Sequence, residues 1–313
     1  MARPLRIHAA ALQYFDAVRR AGSIREGARR LNVASSAVNR QILKLEAELC
    51  APLFERLPAG LKLTAAGEVL AHHVTTVMRD LERASSELDA IKGLRVGHVE
   101  LATLEGLCHQ IVPEALRAAH AAYPRLTFGV GVMGTEQIPA AIMDGDVHLG
   151  LAFEVRRRAE LRQLAVARFR LGAVVRPDSP LAARAVVSLR DCLEQPLILP
   201  KLNFANRDQL HALFFQSRLP DRGQFEAGSV EMMKQLVLRG MGVAFMTRVG
   251  VEQALQRGEL VHVPLHHQRG PVFSELGLYA RADTSLPIAV EAAAALLATA
   301  MRECEAMEGG GEV

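Results

Sequence analysis

The chain has 313 residues, 50% hydrophobic and 23% charged, the balance of a folded protein with room for more than one domain, which excludes a disordered chain or one small stapled module. Its net charge of +3 is uneven: Met1 to Thr64 carry eleven basic residues against five acidic ones, a surplus of six that leaves the remainder at −3. A basic head on a slightly acidic body suits one end for a polyanion. The first residues lack the continuous apolar run and cleavage site of a signal peptide, and the longest weakly apolar run, Ala292 to Met301, is too short for a bilayer, so a cytoplasmic location with no membrane partner is expected.

The head reads as short helices. Leu12, Phe15 and Val18 mark the inner face of the first, and Gly22-Ser23 supplies a stop and then an N-cap for a second that runs to about Leu31. A third begins at Ser35-Ser36, with Val38, Ile42, Leu45 and Leu49 on one buried stripe. Two short helices joined by a tight turn form a helix-turn-helix pattern, whose second helix would offer its first turns to the major groove. Ser35, Ser36, Asn39, Arg40 and Lys44 fall outside the stripe, and with Ser23 they are the expected DNA contacts. Leu61-Lys62-Leu63, after the Pro58-Ala59-Gly60 turn, predicts a wing strand that would add Arg56 and Lys62 along the phosphates. Pattern alone also allows a helical hairpin with a solvated polar face.

The string Leu31-x-Val33-x-x-x-Ala37-Val38-x-Arg40-Gln41-Ile42-x-x-Leu45-Glu46-x-x-Leu49, followed by Pro52-Leu53-Phe54-x-Arg56 and Leu63-Thr64-x-x-Gly67, resembles the N-terminal region of LysR-type transcriptional regulators. The resemblance implies double-stranded DNA, read at a dyad operator, as the partner. The chain departs from the family's pattern at Ala34, Ser35, Asn39 and Cys50. Ala34 stands where a capping hydroxyl is usual, so Ser35 would cap only if the helix began one residue later. Cys50 stands where glycine is usual. It would cost about 1–2 kcal/mol in left-handed geometry, unless the helix ends differently.

From Thr64, a plausible N-cap, no proline interrupts the chain before Lys92-Gly93, and Leu70, Val74, Val77, Leu81, Ala84, Leu88 and Ile91 alternate spacings of four and three. This is the spacing of a coiled-coil seam about three heptads long, which predicts a homodimer holding two heads apart, the alternative being a helix packed on its own domain. The neighbouring His72 and His73 point in different directions on a helix and are not a metal pair.

Beyond Val99 strands and helices alternate. Val99–Thr103, Leu126–Val132 and Val147–Phe153 are strand candidates, with helices near Ile111–Ala122 and Ile138–Met143. A second block has strand candidates at Phe169–Val175, Leu197–Leu199, Val243–Met246 and Leu260–Val263, with helices at Asp208–Gln216 and Ser229–Arg239. A strand at Leu276–Arg281, a helix from Pro287 to Cys304 and a frayed Gly309-Gly310-Gly311 tail finish the chain. Mainly parallel sheets covered on both faces follow. The fold class is α/β: a winged helix-turn-helix (1–64), a linker helix (65–93) and a two-lobed effector-binding domain (94–313), with lobe I at about 94–166 and 267–305 and lobe II at about 167–266.

A crevice between two such lobes is a natural small-molecule site. Residues at strand ends and helix starts there are Thr103, Glu105, Thr135, Gln137, Lys201, Asn203, Ser229 and Thr247, each of which can equally be a turn or cap residue. Lys201 would suit an organic acid and Glu105 would oppose one, so the effector's charge stays open. The arrangement resembles the effector domain of LysR-type regulators, with Val237-x-x-Gly240-x-Gly242-Val243-Ala244 and Arg176-Pro177-x-x-Pro180-Leu181 matching best. By that resemblance Thr103 and Thr135 are the leading effector contacts, and a homotetramer is an alternative to the dimer.

Gly129-Val130-Gly131-Val132-Met133-Gly134 matches G-x-G-x-x-G, but its first two glycines lie inside a strand pattern, which is wrong for dinucleotide binding. The cysteines Cys50, Cys108, Cys192 and Cys304 are widely spaced and read as small buried hydrophobes, with Cys108 open to a lowered pKa at a helix start. His262, His266 and His267 lack ligand partners at metal spacing. No cofactor is expected. The reading is a transcriptional regulator sensing a small molecule, not an enzyme. The alternatives are a ligand-binding protein whose head is a protein-interaction module, and an enzyme on the two-lobed body.

Overall fold

The computed structural model describes residues 9–58, 60–91, 97–201, 204–268, 270–283 and 285–309. The chain divides into two compact units, Met1–Leu88 and Asp89–Val313.

In the first unit, helices Ala9–Ala21, Ile24–Arg30 and Ser35–Leu49 precede an antiparallel hairpin of Phe54–Leu57 and Gly60–Leu63, and then the long helix Ala65–Ile91. Phe15, Val18, Val38, Ile42 and Leu45 are buried together, with Leu12 and Leu49 packed against them, so the periodic stripes face inward as read. The helix-turn-helix joint turns at Asn32 with φ 53°, which asparagine tolerates. The second helix is capped at the residue read from the sequence, and the condition for Ser35 to cap the third is not met. Ser23 sits at the N-cap without a side-chain capping bond, and the third helix starts at Ser35 with Ala34 as its N-cap, so Ser35 is a first-turn residue.

Cys50 does close that helix in the left-handed region, at φ 52° and ψ 30°, and it is exposed rather than buried. Cβ crowding is the cost of that geometry, and glycine removes it while adding some unfolded-state entropy. Cys50→Gly is therefore expected to raise stability by about 1 kcal/mol, read as a higher urea midpoint at unchanged slope.

The linker seam divides. Ala71 and Val74 are buried in the head, with Leu70 and Met78 packed on them, whereas Val77, Leu81 and Leu88 are exposed. The first two seam positions thus serve the head's own core, because the helix must first be anchored to it. Side-chain placement at Ile91 lies outside the described residues.

The second unit holds two five-stranded sheets. The first runs in spatial order Leu126–Val132, Gly97–Thr103, Leu149–Phe153, Phe273–Arg281, Leu161–Arg170, and the second Val261–Pro264, Gly172–Val175, Val243–Met246, Leu197–Pro200, Phe225–Ala227. Both are mixed rather than mainly parallel: Phe273–Arg281 is antiparallel to both neighbours, as is Gly172–Val175. Apolar clusters cover both faces of each sheet, which is why the central strands read as continuous apolar runs. The segment read as one strand, Phe169–Val175, is the end of one strand and the start of another on either side of Leu171. There the chain crosses between lobes beside its return path. Leu171 N donates to the Val272 carbonyl at 2.9 Å, and Leu265 N donates to the Leu171 carbonyl at 2.9 Å. The last helix, Ile288–Gly309, includes Gly309, so the tail begins later than read; Gly310 and Gly311 lie outside the described residues.

In the G-x-G-x-x-G segment, Gly129 and Gly131 lie within the Leu126–Val132 strand. A Cβ on Gly129 would stand 2.2 Å from a Glu100 carboxylate oxygen, so that glycine accommodates a neighbouring side chain.

Candidate functional site: a basic head and an apolar interlobe cleft

Spacing decides which basic side chains of the head are free. Asp16 pairs with Arg19 and Arg20, and Glu26 with Arg29 and Arg30, three and four residues along the same helices. Among the described residues Arg40, Lys44, Arg56 and Lys62 have no such partner and are exposed. Arg25 is likewise exposed without one, and the four paired arginines share two carboxylates, so basic charge remains on the second helix as well as on the outer face of Ser35–Leu49 and on the wing. Ser35, Ser36, Arg40 and Lys44 are exposed on that helix, Asn39 is half-buried beside them, and Ser23 is half-buried at the start of the preceding helix. The hairpin register opposes Glu55 to Lys62 and Arg56 to Leu61. Arg56 and Lys62 consequently lie on opposite faces of the ribbon, not on one.

Sequence reasoning passed over Glu46. Its Oε1 accepts from Leu53 N at 2.7 Å and Phe54 N at 3.4 Å, tying the recognition helix to the wing. The signal was the Leu45-Glu46 pair itself, with a carboxylate adjoining the buried stripe.

In the second unit the ends of both sheets enclose a cavity of about 360 Å³, within the range of small-molecule sites. Leu107, Val132, Met133 and Phe153 from one lobe face Phe204, Met233 and Met246 from the other. Four of the eight expected residues meet here: Glu105, Thr135, Ser229 and Thr247. Ser229 is the N-cap of Val230–Leu238, its Oγ accepting from Met232 N at 3.1 Å. That same hydroxyl donates to Glu105 Oε1 at 2.9 Å, while Val230 N donates to Glu105 Oε2 at 2.8 Å. The carboxylate of one lobe thus rests on the helix N-terminus of the other, where the dipole favours it.

Of the other four, Thr103, Gln137 and Lys201 are not among the residues that line this cavity. Thr103 is fully buried and outside the cavity lining, and its Oγ1 has no hydrogen-bond partner. It ends its strand facing inward, on the same side as Leu101. Gln137 is exposed and turned back, its Oε1 accepting from Gly134 N at 2.9 Å. Lys201 is exposed and outside the lining. Asn203 lies outside the described residues. Residues the sequence reading missed are Phe153 and Met246, each closing a strand, and Phe204 and Asn206 at the start of Ala205–Gln216. Their strand-end positions were a usable signal, but apolar side chains were not considered as ligand contacts.

Burial and the nearby Glu105 charge push the Cys108 thiol up, against the lowered value a redox role would need. Cys192 and Cys304 are buried and pushed up to about 12, chiefly by burial. His262 is held down at about 4, by burial first and Arg248 second.

Among the described residues no helix is long and apolar enough to cross a membrane. Residues 9–68 match the sequence model of the bacterial regulatory helix-turn-helix of the lysR family, and residues 92–302 that of the LysR substrate binding domain. The chain is 28% identical over 301 residues to the HTH-type transcriptional regulator CbbR of Rhodospirillum rubrum, spanning 95% of this chain and 98% of that one. Its fold is similar to that of a full-length OxyR variant from Pseudomonas aeruginosa, with a TM-score of 0.75 at 18% identity over 95% of both chains. It is also similar to that of full-length CbnR solved with its target DNA, with a TM-score of 0.55 at 21% identity, covering 94% of this chain and all of that one. A winged helix-turn-helix followed by a two-lobed substrate-binding domain, with both matches in that order, places this chain in the LysR family of bacterial transcriptional regulators.

Proposed function

We propose that this regulator works in the cytoplasm as a homodimer or homotetramer, gripping a dyad operator with paired heads and adjusting that grip when a small molecule enters the interlobe cleft. The observation that carries the DNA contacts is that Arg40, Lys44, Arg56 and Lys62 stand exposed on the outer face of Ser35–Leu49 and on the wing, with no ion-pair partner among the described residues to compete with a polyanion. Ser35, Ser36 and Asn39 are positioned to read base edges, with Ser23 near the backbone. CbnR, a relative in fold, has been solved on its target DNA, which supports the same use of the head. The working division is 1–64 for the head, 65–93 for the linker and 94–313 for the sensor. The exposed Val77, Leu81 and Leu88 supply a stripe for a partner helix. The cleft needs no catalysis: an effector that changes DNA affinity has its own affinity changed by the same factor when DNA is bound.

Arg40→Ala tests the placement. On a duplex from the promoter region of its own gene, the variant is expected to bind roughly 5- to 150-fold more weakly, corresponding to about 1–3 kcal/mol for one good contact. Sedimentation mass should be unaltered. Unchanged DNA affinity would move the recognition surface away from this helix.

A further inference from the structure

We propose that the interlobe cleft is built for an uncharged, predominantly apolar molecule, because Glu105 already holds the helix terminus at which an anionic effector would bind. The inference rests on the cleft being the effector site and specifies its ligand.

Among the described residues that line the cavity, Glu105 is the one ionisable side chain. Both of its oxygens are engaged, one by Ser229 Oγ and one by Val230 N. With Ser229 Oγ also accepting from Met232 N, two donors of the first turn of Val230–Leu238 are satisfied from within the chain. An incoming carboxylate or phosphate would therefore find these two donors taken and a fixed negative charge beside them. No lining arginine, lysine or histidine among the described residues offsets that charge, and the field acts in a partly dry site where screening is weak.

The remaining walls favour apolar contact. Phe153 and Phe204 supply aromatic surface, and Met133, Met233 and Met246 supply side chains that adapt to ligand shape. Polar orientation comes from neutral groups. Thr135 and Thr247 line the cavity, Asn206 Nδ2 is committed to the Phe245 carbonyl at 3.2 Å, and Ser274 Oγ to Gln209 at 2.9 Å. A small ring compound carrying a hydroxyl or carbonyl fits this set. An organic acid, the class Lys201 had suggested, does not, because Lys201 stands outside the lining.

The test compares benzyl alcohol with benzoate, one ring in uncharged and anionic form, by thermal unfolding of the full chain at millimolar concentration. In the unaltered protein benzyl alcohol is expected to raise Tm and benzoate to bind at least tenfold more weakly. In Glu105→Ala the helix terminus is vacated, so benzoate should now stabilise and acetate should raise the variant's Tm without affecting the parent. Glu105→Gln, which keeps an acceptor while removing the charge, should gain benzoate binding as well and serves if the alanine variant does not fold. Benzoate stabilising the parent as strongly as benzyl alcohol, or no gain of anion binding in either variant, would overturn the proposal while leaving the cleft as the sensor. Silence of the parent toward both probes would overturn the proposal together with the reading of the cleft as a ligand site.

Discussion

Gly67→Ala is expected to unfold the DNA-binding head while the substrate-binding unit stays folded. Gly67 lies in the first turn of Ala65–Ile91, and a Cβ there would stand 2.2 Å from the Leu53 carbonyl oxygen and 3.0 Å from Leu63 Cδ2. The first obstacle is backbone, so no rotamer change relieves it, and either the helix or the strand-entry segment must move. That movement breaks a tight joint. The Thr64 hydroxyl donates to the Pro52 carbonyl at 2.6 Å and accepts from Gly67 N at 3.0 Å, while Thr64 N donates to the Leu53 carbonyl at 3.0 Å. Overpacking with lost capping costs about 3 kcal/mol or more, a large fraction of what a small domain possesses. Urea unfolding followed by a head-specific probe should show a lowered midpoint, and DNA binding should fall with it. Gly106→Ala, whose added Cβ would meet nothing closer than 3.5 Å, is the control and should behave like the parent. A Gly67→Ala protein that melts and binds normally would mean that the joint is looser than these distances imply.

Acid is expected to destabilise the second unit through His262. Its ring packs over Gly172, where a Cβ would lie 2.5 Å from Nε2, and the Nε2 proton is donated to the Met246 carbonyl at 3.2 Å. Burial, with repulsion from Arg248, holds its pKa down at about 4 against 6.5 for a free side chain. The unfolded chain therefore takes up a proton that the folded chain refuses. This group's contribution is fully present above pH 6.5 and is lost as pH falls toward about 4. The loss approaches about 1.4 kcal/mol per pH unit at its steepest and about 3 kcal/mol in all. Glu154, Glu252 and Glu308, all raised by burial, act in the opposite direction, since the fold favours their protonated forms. The informative quantity is thus the difference between the parent and His262→Gln. The variant should lose less stability over that interval, and parallel profiles would remove His262 as the acid-sensitive group.

The head was the most legible part because its signals are local. Burial stripes, the positions of the helices and the pairing of arginines with Asp16 and Glu26 all follow from spacings of three and four along single helices. The reason for Thr64-x-x-Gly67 was not legible, since it depends on where the Leu53 carbonyl arrives from another element. In the body, central strands announced themselves as apolar runs, but Leu161–Arg170 did not. It is an edge strand whose exposed residues, such as Arg162 and Arg168, interrupt the run. Strand parity undid Thr103: the sequence placed it at a strand end but could not say which face its last side chain would take.

By itself the sequence determined the order of the domains, the DNA-binding class of the head and the existence of two linked α/β lobes, because periodicity, charge spacing and motif are properties of neighbouring residues. Only the tertiary structure decided what the cleft contains. Glu105 and Ser229 are separated by 124 positions in the chain, and whether a carboxylate is a ligand contact or already committed to a helix terminus depends on two lobes meeting in space.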